Sequence, residues 1–195
     1  MADERSTRME IIDAAYTVLA EHGYDGFTTR AVADEAGRNQ SLVHYYFETK
    51  RDLLLALVEE ALSDLAEQLE QLSHYDPADR LLALTEYIVE TPNDDDLAFK
   101  RLMLEFAAQA PYDDHLRTEL ASGRELIREY IVETVQEGIE SGQFRAVDPV
   151  TFTATYQMAM SGTQAHTAVF ADETDELVVA GLSTLITEYL IEGEE

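Results

Sequence analysis

Gln40, Ser41, His44 and Tyr45 stand at i, i+1, i+4 and i+5 of one short stretch, "NQSLVHYYF". At about 100° per residue a helix carries these four on one side and Leu42, Val43 and Tyr46 on the other. Glutamine and histidine can bond base edges, serine can reach bases or phosphate, and a tyrosine hydroxyl can bond phosphate. The polar side therefore suits hydrogen-bond contact with a major groove, and the apolar side suits packing. Residues 26–51 hold four bases, Arg30, Arg38, Lys50 and Arg51, against three acids. An anion is tolerated there and almost nowhere else in the chain.

A helix that presents those residues needs a support. "FTTRAVADEAG" supplies one: Thr28 can cap a short helix whose inward residues are Val32, Ala33 and Ala36. Gly37 stops it and Asn39 can cap the next helix, over 40–46. The two make a helix-turn-helix pattern. Before it, Ile11, Ala15, Val18 and Leu19 form the stripe of a first helix over 6–22, closed by Gly23. After it, Thr49 and Asp52 resemble a capping box, and leucines from Leu54 to Leu72 keep helical spacing for five turns. Asp76-Pro77 and Asp148-Pro149 each read as a cap followed by proline at the first helical position. Asp94, Asp95 and Asp96 favour another helix start, where the dipole welcomes negative charge. Helices over 114–141, 149–170 and 174–191 complete an all-α chain of about nine helices. No alternating strand pattern of useful length occurs.

The composition bounds the rest. Forty acids face 13 bases, net −27, in a chain of 195 residues. Residues 1–51 hold six bases and nine acids, whereas 52–195 hold seven bases and 31 acids, net −24. Only two bases are lysines, Lys50 and Lys100. Acid spread over most of the chain with so little lysine resembles the surfaces of halophilic proteins. There is no cysteine, no uncharged apolar run long enough to span a bilayer, and no signal-peptide layout at the start. A cytoplasmic location without membrane association is expected. Asp113, Asp114 and His115 read as an acidic helix start rather than a metal site, and no ligand spacing for zinc occurs elsewhere. No nucleophile elbow, phosphate loop or dinucleotide fingerprint is present, so no enzyme activity, metal or cofactor is expected.

The stretch "GYDGFTTRAVADEAGRNQSLVHYYFETKRDLL" resembles the N-terminal signature of TetR-family transcriptional regulators. Gly23-Tyr24, Gly26, Thr28-Thr29, Val32-Ala33, Ala36-Gly37, the His-Tyr-Tyr-Phe cluster, Lys50 and Leu53 carry the likeness. It implies a helix-turn-helix DNA-binding domain over 1–50 and a helical effector-binding and dimerisation domain over 51–195. It also implies a homodimer on near-palindromic double-stranded DNA, most simply a repressor released by a small molecule. The rival reading is a dimeric helical sensor without DNA binding, against which the near-neutral first quarter of the chain argues. Carried over by position, Gln40, Ser41 and His44 face bases, and Arg30 reaches a base or phosphate. Thr29, Tyr45 and Lys50 contact phosphate. Arg38 departs from the family, which carries a small apolar residue there. Either the packing is looser there, or Arg38 points outward and adds a phosphate contact; the second is preferred, since burial of an arginine is costly.

In the family the C-terminal bundle encloses an effector cavity. Phe99, Met103, Phe106, Tyr130 and Tyr156 are candidate lining residues, with His166 as a polar anchor; plain core packing is the rival reading for each. The surrounding acids point to an effector that is largely apolar and either uncharged or cationic. Ala159 and Gly162, with Val178, Gly181, Leu182, Leu185 and Tyr189, place small and apolar residues on the last two helices, which are assigned to the dimer interface.

Overall fold

The structure is a computed structural model that describes residues 2–172 and 174–191, with side chains from Ser6 onward. Nine helices lie among the described residues: α1 (Ala2–Gly26), α2 (Thr29–Glu35), α3 (Gln40–Tyr46), α4 (Lys50–Leu72), α5 (Pro77–Val89), α6 (Asp94–Gln109), α7 (Asp114–Glu140), α8 (Pro149–Phe170) and α9 (Thr174–Thr184). The all-α reading holds. Extended pairing among the described residues is confined to an isolated antiparallel bridge between Phe144 and Ile191. No helix of the described residues is long and apolar enough to cross a membrane.

Most boundaries follow from the local signals. Gly23 breaks α1 at φ 63°, a left-handed conformation that costs glycine nothing. Thr49 and Asp52 close their box: Thr49 N–H donates to Asp52 Oδ2 at 2.9 Å, and Asp52 N–H to Thr49 Oγ1 at 3.1 Å. Asp148 caps α8 through Thr151 N–H at 2.9 Å, and hydrogen bonding from the Thr151 hydroxyl and then its N–H holds the carboxyl below the usual range. At α6 the cap is Asn93, whose Oδ1 accepts from Asp95 N–H and Asp96 N–H. The three aspartates that follow are the first turn. Beyond α9 the chain widens into a π-helical turn, Leu185–Leu190.

The chain packs as two compact units. The first reaches to Ser63 and adds Asn93–Glu119; the second is Asp64–Pro92 with Leu120–Glu195. The boundaries thus fall inside α4, inside α7 and at the loop between α5 and α6. The first unit buries Ile11, Val18, Phe27, Val32, Val43, Leu53 and Leu102. The second buries Leu81, Leu84, Ile131, Tyr156, Met160, Ile186 and Leu190.

Candidate nucleic-acid interface

The helix-turn-helix is built from two caps and a glycine. Thr28 Oγ1 accepts from Ala31 N–H at 3.1 Å, starting α2. Gly37 takes φ 62° and turns the chain. Arg38 N–H then donates back to Ala33 O at 2.9 Å. Asn39 Oδ1 accepts from Leu42 N–H at 2.8 Å, starting α3. Val32, Ala33 and Val43 are buried between the short helices and the rest of the unit, which leaves the other side of α3 to solvent.

Exposed there are Gln40, Ser41, His44 and Tyr45, with Arg30 exposed on α2. Gln40 Nε2 donates to Thr29 Oγ1 at 3.1 Å. His44 Nε2 lies 3.5 Å from both Thr29 Oγ1 and Gln40 Nε2. Three residues drawn from the two helices therefore meet in one polar cluster. Tyr45 is 73% exposed and meets Tyr46 edge-on with ring centroids 5.1 Å apart. The half-buried Tyr46 belongs to the packed side.

Two of the basic residues expected to contact DNA are engaged inside the unit. Arg38 is exposed, yet its guanidinium donates to Glu10 Oε2 on α1 at 2.5 Å. Lys50 Nζ donates to the Tyr24 carbonyl at 2.7 Å and lies 4.1 Å from the centroid of the Tyr24 ring. Burial pushes the Lys50 ammonium below the usual lysine range, with Asp25 and Glu105 opposing. Sequence reasoning missed both partners. Glu10 was hidden by its distance along the chain. Tyr24 was hidden likewise, 26 residues before the lysine that it meets.

The six candidate effector residues divide between the two units. Phe99, Met103 and Phe106 lie on α6 in the first; Tyr130, Tyr156 and His166 lie in the second. Tyr156 is fully buried, and its hydroxyl donates to Leu81 O at 2.9 Å and pairs with Thr85 Oγ1. Its place is the core. Tyr130 lines a cleft of about 400 Å³ with Leu69, Arg80, Leu126, Glu133 and Glu137. His166 pairs with Asp172 at 3.1 Å. Of the residues assigned to the dimer interface, Gly162, Gly181 and Tyr189 are exposed, and Ala159, Val178 and Leu185 are half-buried. Leu182 is buried within its own chain.

Residues 11–57 match the family described as bacterial regulatory proteins, tetR family. Residues 77–190, more than half of the chain, match the C-terminal region of BetI-type transcriptional repressors. The transcriptional repressor AcnR of Corynebacterium glutamicum is 24% identical over 151 residues, 77% of this chain and 76% of that protein. A TetR transcription regulator from Haloarcula marismortui superposes with a TM-score of 0.84 at 26% identity, over 96% of this chain and 100% of that one. A transcriptional regulator from Saccharomonospora viridis, solved in complex with choline, gives 0.83 at 20% identity over 97% and 100% of the two chains. With a helix-turn-helix whose polar side is open to solvent and family matches to both regions, the chain belongs to the TetR family of DNA-binding transcriptional regulators.

Proposed function

We propose that this regulator is a homodimeric repressor that sets α3 of each subunit into successive major grooves of a near-palindromic operator. The observation that carries the reading is the exposed cluster of Thr29, Gln40 and His44, formed across α2 and α3. Gln40, Ser41 and His44 read base edges, and Arg30 reaches a base or the backbone. Thr29 and Tyr45 hold phosphate. Arg38 and Lys50 join them when phosphate replaces Glu10 and the Tyr24 carbonyl as their partners. Dimerisation through α8, α9 and the turn that follows is supported by the apolar surface they leave in solvent, which includes Met158, Val169, Phe170, Leu177 and Tyr189. The net charge of −27 and the near-absence of lysine support function in concentrated salt in the cytoplasm.

Release falls to a small molecule, largely apolar and uncharged or cationic. The 400 Å³ cleft supports this choice, since Leu69, Leu126 and the Tyr130 ring stand beside Glu70, Glu129, Glu133 and Glu137. Carboxylates so placed repel anions, and a tyrosine face attracts cations. The test is fluorescence anisotropy on DNA from the protein's own upstream region. Wild-type protein should bind one site tightly, and the Gln40→Ala/His44→Ala double variant should lose preference for it over scrambled DNA. Equal binding of both DNAs by the wild type would remove the operator reading.

A further inference from the structure

A second cavity, of about 180 Å³, lies within the first unit. Leu54, Leu55, Phe106 and Leu116 form its apolar wall, and Lys50 and Arg51 also line it. Those four wall residues are buried. The two cations differ in what they already hold. The Arg51 guanidinium donates to the Asp113 carboxylate. Asp113 is itself fixed by Leu116 N–H and His115 N–H, and its carboxyl is held below the usual range, first by the Leu116 bond. The one hydrogen bond of the Lys50 ammonium among the described residues goes to the neutral Tyr24 carbonyl. An ammonium has three donors. A partly desolvated cation with unspent donors, set beside an apolar cavity, is stabilised by an anion whose remaining body is apolar.

We infer that this cavity is a binding site for a small organic acid: one carboxylate for Lys50, and one ring or short branched chain for the leucine and phenylalanine wall. The volume sets the size, because an apolar cavity of about 150 Å³ accepts benzene. Benzoate fits that description; long acyl chains and polyanions do not. The preference runs opposite to that of the 400 Å³ cleft, where carboxylates dominate the rim. The acid and the proposed effector are therefore different ligands at different sites. A consequence rests on the phosphate role proposed for Lys50: an acid that takes its ammonium withdraws it from DNA, and by linkage the two ligands weaken each other equally.

The test is isothermal titration of the full chain with benzoate, benzyl alcohol and benzylamine at constant ionic strength and without DNA. Benzoate should bind at least about tenfold more tightly than either analogue, one decade of affinity being worth about 1.4 kcal/mol. Lys50→Met, which keeps the length of the side chain and removes its charge, should abolish that preference. Leu116→Phe, which fills the cavity, should weaken benzoate in protein whose circular dichroism is unchanged. If that variant unfolds, Lys50→Met alone decides. Equal binding of benzoate and benzyl alcohol, undiminished benzoate binding by Lys50→Met, or no benzoate binding at millimolar concentration would each overturn the site. Benzoate binding that leaves operator affinity unchanged would uphold the site and remove the phosphate contact of Lys50.

Discussion

The Gln40 amide donates to the Thr29 hydroxyl at 3.1 Å, so a residue of α3 is oriented by a residue of α2. His44 completes the cluster at 3.5 Å from each. The amide proposed to read a base edge is thus held before DNA arrives, which lowers the side-chain entropy lost on binding. Gln40→Ala and His44→Ala should each cost about 1–3 kcal/mol of operator affinity and blur sequence preference. Thr29→Val should also weaken operator binding, and it should loosen the discrimination that Gln40 provides. Anisotropy on a set of single-base operator variants measures both quantities.

Tyr156 anchors the second unit through its hydroxyl, which joins Thr85 on α5 and the Leu81 carbonyl. Burial pushes this phenol far above its usual range, so it stays protonated and keeps donating in alkaline solution. Tyr156→Phe should cost about 1–2 kcal/mol in urea unfolding, the usual cost of a deleted buried hydrogen bond. Tyr156→Ala should cost about 3–5 kcal/mol through the cavity it leaves. Equal losses for the two would show that the hydroxyl, not the ring, carries the stability.

Gly138 sits inside α7, where alanine would ordinarily stabilise by about 1 kcal/mol. Here a Cβ would collide with the Phe144 ring, which is itself buried. Gly138→Ala should therefore destabilise, by about 1–3 kcal/mol as overpacking does. Phe144→Leu in the same chain should recover part of the loss. Thermal unfolding of the two single variants and the double gives the coupling directly.

The interface proposal calls for a substitution on an exposed residue. Leu182→Glu would bury a charge in its own subunit, so loss of the dimer there could follow from unfolding. Leu177 is 74% exposed on α9. Leu177→Glu should leave circular dichroism unchanged and give monomers in sedimentation; an intact dimer would move the interface away from this part of α9.

Salt should act on operator binding in an unusual way. DNA-binding proteins ordinarily lose affinity steeply as salt rises, because phosphate contacts release counterions. Residues 52–195 carry net −24, and docking brings that charge toward a polyanion. The repulsion reaches about 30 Å at 0.01 M salt and about 3 Å at 1 M. Affinity measured between about 0.2 and 2 M KCl should therefore fall shallowly or even rise, with circular dichroism confirming a folded protein throughout. A slope matching several phosphate contacts would show that the acidity plays no part in docking.

The features legible from residue types alone are those that local physics governs. Thr28, Gly37, Asn39, Thr49 and Asp148 act on backbone groups within a few residues, so the starts and stops of α2, α3, α4 and α8 could be read from single residue types. The solvent side of α3 was readable for the same reason, since helical periodicity sorts Gln40, Ser41 and His44 from Val43 without reference to any partner. Tertiary structure decided whatever depends on residues far apart in the chain. It tied Arg38 to Glu10 and Lys50 to Tyr24, and it buried Tyr156 with its hydroxyl on Leu81 and Thr85. It also divided the compact units within α4 and within α7. An aromatic stripe at helical spacing says that a side is buried, but not whether it meets a cavity or another side chain, because that depends on which helix packs against it.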